Sequence, residues 1–341
     1  MDPRAGAASR GTPRSGAVAS TPRSPNCRTR SSSRSSASRN RPGRLRRAHT
    51  GRVDLHCHST ASDGELAPAE VTRRAKAAGL AAIALTDHDT TDGVADAARV
   101  GESVGVRVVS GCEFSVKAPW GELHVLGYFL PPGEPRLEAF LVETRAARRH
   151  RAEQMVGRLQ RLGVDIAFDD VVSEAGAGAV GRPHVARVLV ERGASADIND
   201  AFVRYLGRGR PAYVEKPLPA LRRVTDLVHA VGAIALAAHL GDHGSEGQIR
   251  EFQAQGLDGL EVRHPSHAPA VEQRLTRIAE RLGLAISGGS DWHGDTELGD
   301  AHASLGGLDV PLEWLENLEV RHAGVVEQNR RAAASRGGVN R

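Results

Sequence analysis

Val53–Glu65 reads VDLHCHSTASDGE. Its aliphatic start predicts a strand, and side chains at i and i+2 of a strand share a face. His56 and His58 therefore project together, Cys57 points away, and Asp63 and Glu65 follow in the loop. Imidazole is the commonest nitrogen ligand for transition metals, and carboxylates suit harder ions such as manganese. Taken alone, the pattern fits a metal-binding edge and a polar strand end equally well.

The same ending recurs along the chain. AAIALT (81–86) runs into Asp87-His88-Asp89, and VRVVSGC (106–112) runs into Glu113. GELHVLGYF (121–129) carries His124, AIALAA (233–238) ends on His239, and LAISGGS (284–290) leads to Asp291 and His293. Buried charges at unrelated strand ends would each need a partner. A site on which the strand ends converge supplies those partners together.

Strand-like and helix-like stretches alternate from residue 53 onward, which predicts βαβ units in a parallel sheet or barrel. Ligand sites in such folds lie at the carboxyl ends of the strands. Residues 136–225 break the alternation with mainly helical texture, including RAARRHRAEQMVGRLQRLG, and read as an inserted helical subdomain. The barrel is then expected over 51–135 and 226–310, with a C-terminal helix and tail over 311–341.

Residues 1–50 form an Arg/Ser-rich segment with almost no aliphatic periodicity, expected to be disordered. It is read as a nucleic-acid-binding arm, a transit-like peptide, an incidental tail or a start-site artefact. Residues 1–53 hold 13 arginines against one acid, Asp2, so the chain's net charge of +4 conceals an acidic remainder. A basic nucleic-acid face on the folded part is therefore not expected. No apolar run approaches a membrane span. Cys27, Cys57 and Cys112 form no CxxC pair, which suits a reducing cytoplasm.

DLHCHSTASDG, TDHDTTDG, GCEFS, HVLGYF, GRPH and GGSDWHG resemble, in order and spacing, the motifs of the PHP (polymerase and histidinol phosphatase) family of metal-dependent phosphoesterases. The resemblance covers about residues 53–300, and is nearest to nucleoside 3′,5′-bisphosphate phosphatases and the 5′-to-3′ exoribonuclease RNase AM. It implies an α/β fold, a distorted (β/α)7 barrel, with a trinuclear metal site. The implied ligands are His56, His58, Asp63, His88, Glu113, His124, His239, Asp291 and His293, with Glu113 bridging two metals. One departure stands out: the family usually has His-Pro where this chain has His239-Leu240.

Other residues have a bland reading beside a functional one. Arg182 and His184, in GRPH, are candidates for phosphate binding or for a helix-start motif; a guanidinium grips phosphate oxygens in a fork. His264 and His267 are candidates for substrate contact and leaving-group protonation, or for a surface loop. Lys216 is a substrate-binding candidate or a solvated lysine. Asp87 is a carboxylate suited to orienting a ligand histidine, and Cys57 and Cys112 read as core thiols. The arginines of 144–161 read as a solvated face, or as a basic wall guiding an oligonucleotide. Glu65 has no matched role.

The resemblance implies hydrolysis of phosphomonoesters of 3′,5′-bisphosphonucleosides, of short RNA from the 5′ end, or both, by metal-activated hydroxide. The cofactor expected is Mn²⁺, with Fe²⁺ or Zn²⁺ as alternatives, up to three ions per chain. A histidinol-phosphatase-like activity and a non-catalytic binding module are the alternatives. No membrane association and no stable protein partner are expected.

Overall fold

The computed structural model describes residues 51–176, 178–295 and 303–337; the tail expected over residues 1–50 lies outside them. Strand β1 (Arg52–Cys57) is buried beyond its first residue, as a strand covered on both faces requires. Strands β2 (Leu80–Leu85) and β3 (Arg107–Ala118) follow in parallel, through crossover helices α1 (Pro68–Ala77) and α2 (Val94–Val104). Helix α1 opens on a proline, whose missing N–H is no loss in a first turn.

Direction then reverses. Strand β4 (Gly121–Tyr128) pairs antiparallel with both β3 and β5 (Ile234–Ala237). The uniform parallel alternation expected from sequence fails here because only Pro119 and Trp120 separate β3 from β4, too short a link for a crossover. His124 consequently enters the barrel from a reversed strand, opposite Ser115. Parallel pairing resumes with β6 (Gly259–Arg263) and β7 (Ala285–Gly288). Helices α8 (Glu246–Ala254) and α9 (Pro269–Leu282) make those crossovers. The two-residue β8 (Val310–Pro311) lies antiparallel on β1, and α10 (Leu312–Gly337) follows it, burying Leu315 and Leu318.

The segment after β7 closes the wall against β1. Asp291 N–H donates to His56 O at 2.8 Å, and His58 N–H donates to Trp292 O at 2.9 Å. A Cβ on Gly289 would lie 2.3 Å from the His56 Cβ, so the close approach requires glycine. The result is a distorted, nearly closed α/β barrel.

Helix α3 (Pro135–Arg161) belongs to two packing clusters. Leu137, Phe140 and Leu141 pack with barrel residues such as Phe114 and Val125. Ala152, Met155 and Leu159 pack with α4 (Phe168–Ala175), α5 (Arg182–Glu191), α6 (Ile198–Ala201) and the π-helical turn Phe202–Leu206. Helix α7 (Leu221–Ala230) returns to the barrel cluster through Leu221, Val224 and Val228. The arginines of α3 do not form the uniformly solvated face expected. Arg148 and Arg151 are buried, whereas Arg149, Arg158 and Arg161 are exposed, because 148, 151, 152, 155 and 159 share one helix face. No described helix is long and apolar enough to cross a membrane.

Candidate metal centre

The strand ends converge on Glu113. Its Oε2 lies 3.3 Å from His56 Nε2, 3.3 Å from His58 Nε2 and 3.1 Å from His88 Nδ1. Its Oε1 lies 2.7 Å from His124 Nδ1 and 3.1 Å from His239 Nε2. One carboxylate thus faces two sets of imidazoles, one with each oxygen. Asp291 Oδ1 lies 3.2 Å from His56 Nε2 and 3.1 Å from His58 Nε2. Asp63 Oδ1 is 3.4 Å from His293 Nε2, and its Oδ2 is 3.9 Å from His88 Nε2. All nine residues singled out as ligands from the sequence are brought into one cluster.

The donor chemistry fits metal ions. His56 Nε2, His58 Nε2, His88 Nδ1 and His124 Nδ1 are buried with no hydrogen-bond partner. Buried polar atoms are normally satisfied, and these nitrogens face carboxylate oxygens across gaps a cation would fill. Three sets offer donor atoms within 4.8 Å of one another: His58/Asp63/His88/His293, His56/His58/Glu113/Asp291 and His88/Glu113/His124.

Electrostatics agree with this. Burial opposes charge on His58 and His124, but facing carboxylates outweigh it, raising His58 to about 10 and His124 to about 9. Burial dominates at His88, which falls to about 3. Burial also opposes ionisation of Asp63, Glu113 and Asp291, yet the surrounding imidazoles hold all three well below the usual carboxylate range.

Backbone strain gathers at the same place. Among the described residues, four non-glycines have positive φ, and three of them are Asp89 (52°), His239 (24°) and Asp291 (51°). Such conformations persist where surrounding structure imposes them, typically at functional sites.

A second layer holds the cluster. Glu261, passed over in the sequence, is fully buried; its Oε1 accepts from His56 Nδ1 at 3.0 Å and its Oε2 from the His239 N–H at 2.8 Å. With Nδ1 so engaged, Nε2 of His56 is left to face the centre. The available signal was a lone carboxylate inside the buried strand Gly259–Arg263. Asp87 was expected to orient a ligand histidine, and it reaches one through Ser62, whose Oγ lies 3.4 Å from His58 Nδ1. It accepts from Ser59 N–H, Ser59 Oγ and Ser62 Oγ, each at 2.7 Å, and so also holds the loop carrying Asp63. Cys57 and Cys112 are buried thiols. Glu65 N–H donates to His293 O at 2.6 Å, and its carboxylate lies over Gly294.

The remaining candidates separate. His264 joins the cluster, with Nε2 3.4 Å from Asp291 Oδ2 and its ring 5.1 Å from that of His239. His267, the other candidate for protonating the leaving group, is held by backbone. Its Nδ1 is 2.9 Å from Val262 O and its Nε2 accepts from Gly241 N–H at 3.0 Å, so backbone occupies both nitrogens. His184 is likewise committed: Nδ1 accepts from Gly181 N–H at 2.9 Å, and the ring also bonds the Ser62 backbone, tying α5 to the ligand loop. Lys216 Nζ contacts Glu122 Oε1 at 2.9 Å, and Glu122 in turn lies 3.2 Å from His124 Nε2. Arg182 lines a cavity of about 510 Å³ with Lys117, Trp120, Glu122, Arg208 and Lys216.

The PHP domain model matches residues 54–165. Across 72% of this chain and 90% of its own length, a 5′-3′ exoribonuclease of Haemophilus influenzae is 36% identical. The chain belongs to the PHP family. A 3′,5′-nucleoside bisphosphate phosphatase of Chromobacterium violaceum is 38% identical over 72% of this chain and 89% of its own. A solved Chromobacterium violaceum structure, described as an amidohydrolase with bound sulfate and no metal, is 36% identical with a TM-score of 0.70. It covers 79% of this chain and 96% of its own. In this PHP chain the His239-Leu240 departure leaves the imidazole in place: Leu240 is buried in the barrel cluster while His239 faces Glu113.

Proposed function

We propose that this chain is a metal-dependent hydrolase of nucleotide phosphoesters, acting on 3′,5′-bisphosphonucleosides, on short RNA from its 5′ end, or both. The observation that carries the reading is Glu113, one carboxylate facing five imidazoles with its two oxygens. Relatives named for bisphosphate hydrolysis and for 5′-3′ exoribonuclease activity support the substrate class.

His56, His58, Asp63, His88, Glu113, His124, His239, Asp291 and His293 would hold the ions. Three overlapping donor sets support up to three of them, manganese first, with iron(II) or zinc also suited to mixed imidazole and carboxylate donors. Divalent ions bound there supply Lewis acidity and lower the pKa of water toward neutrality. The protein's own groups do the rest. Glu113 ties the ligand sets together, and Asp63 and Asp291 balance their charge. Arg182 and Lys216 receive phosphate oxygens beside the cluster. His264, facing Asp291, is the group in reach to protonate a departing oxygen. Residues 136–225 act as a helical insertion that selects substrate beside a barrel formed by 51–135 and 226–310. The protein works in the cytoplasm on small phosphorylated nucleotides or short RNA.

The test is to strip metal with chelator, restore Mn²⁺, and compare phosphate release from adenosine 3′,5′-bisphosphate and histidinol phosphate. Mononucleotide release from a 5′-phosphorylated oligoribonucleotide is followed alongside. The nucleotide substrates are expected to turn over only with metal. A preference for histidinol phosphate would remove the nucleotide reading, and turnover of none would remove the enzyme.

A further inference from the structure

Arg148 is the buried cation that the metal centre leaves unexplained. It sits on α3 with 8% of its side chain exposed, and its Nε donates to Asp89 Oδ2 at 2.5 Å. Its Nη2 is buried with no hydrogen-bond partner. A guanidinium carries five N–H donors, and leaving one dry and unpaired is costly.

Asp89 adjoins His88, so the guanidinium is fixed beside the metal cluster. A Cβ on Gly181 would lie 3.7 Å from Arg148 Nη1, which puts the guanidinium against the start of α5, where Arg182 stands. The charges of Asp63 and Glu122 are felt by Arg148. Burial and the nearness of Arg148 together depress the Lys216 ammonium to about 8. Arg151, also buried, feels both Arg182 and Arg148. The cations Arg148, Arg151, Arg182 and Lys216 therefore crowd together, while Asp89 and Glu122 are the carboxylates paired with members of the group. An excess of enclosed positive charge with an unpaired N–H, beside a metal-type cluster, is suited to a tetrahedral oxyanion.

We infer that Arg148 Nη2 is a phosphoryl-binding donor that holds a non-bridging oxygen of the phosphoryl group presented to the metal centre, with Lys216 alongside. This rests on the phosphoesterase reading for the identity of the anion. Asp89 holds the guanidinium through Nε, so the donor is set before the anion arrives and little ordering entropy is lost on binding.

Inorganic phosphate is the probe, titrated calorimetrically into Mn²⁺-loaded wild type, Arg148→Gln, Arg148→Lys and Asp89→Asn. Circular dichroism and metal analysis are run on each. Loss of one hydrogen bond to a charged group weakens binding by about 10- to 100-fold. That loss is expected for Arg148→Gln and Arg148→Lys with metal content unchanged; Asp89→Asn, which keeps the guanidinium, loses less. Arg148→Lys preserves the charge, so it remains informative if Arg148→Gln does not fold. Wild-type phosphate affinity in Arg148→Lys overturns the inference, as does a loss equal to that of Asp89→Asn, the mark of a merely structural pair. If the chain hydrolyses no phosphoester, phosphate calorimetry still reads the pocket, so the two failures are distinguishable.

Discussion

Replacing Glu261 by Gln keeps the shape of the side chain and removes half of what it does. The carboxylate accepts from two donors, His56 Nδ1 at 3.0 Å and the His239 N–H at 2.8 Å, one on each oxygen. An amide has one oxygen. If that oxygen takes the His239 N–H, the NH₂ group faces His56 Nδ1 and drives the imidazole proton onto Nε2, the nitrogen that faces Glu113 and Asp291. If it takes His56 instead, the His239 N–H faces another donor at a residue already held at φ 24°. Either arrangement misplaces one imidazole of the cluster without touching the others. Loss of such an outer partner weakens metal affinity by about 10- to 100-fold, which is about 1.4–2.7 kcal/mol. Calorimetric titration of Mn²⁺ into chelator-stripped protein measures this directly, with circular dichroism to show that the barrel is intact. A Glu261→Gln variant that binds Mn²⁺ within twofold of wild type would refute the reasoning.

Other consequences follow from the same geometry. Gly289→Ala places a methyl 2.3 Å from the His56 Cβ, so thermal unfolding should show a loss of about 1–3 kcal/mol or more; an unchanged Tm would contradict closure of the barrel there. Asp87→Asn leaves Ser59 and Ser62 competing for fewer acceptors, and should lower stability by about 1–3 kcal/mol, read as a shifted urea midpoint. Protons must leave His58 and His124, raised to about 10 and about 9, before those nitrogens can take a metal. Apparent Mn²⁺ affinity should therefore rise with pH across the neutral range and on toward pH 9; affinity that is flat or falls with pH would count against these ligands.

Much of the site is legible in the sequence because candidate metal ligands obey simple local rules. His56 and His58 share a face by strand periodicity, and His88, His239, Asp291 and His293 follow short aliphatic runs that form strands. What is not legible depends on non-local partners. The reversal at β4 hangs on a two-residue turn, not on any pattern within the strand. Glu261 looks like an ordinary strand glutamate until His56 and His239 are seen on either side of it. Arg148 and Arg151 are hidden within a run of arginines, and only their shared helix face, set against the exposed Arg149 and Arg158, separates buried from solvated. His267 and His184 mislead in the opposite direction: both sit in motif-like surroundings, yet backbone groups occupy their nitrogens.

On the proposed function, Glu113 would unite divalent ions into one hydrolytic centre. Metal content per chain, measured by elemental analysis together with phosphate release from adenosine 3′,5′-bisphosphate, tests it most directly when wild type is compared with Glu113→Gln. Wild type should hold more than one divalent ion per chain, and the variant should lose bound metal and turnover in parallel. A Glu113→Gln protein that keeps both its metal and its rate would contradict it.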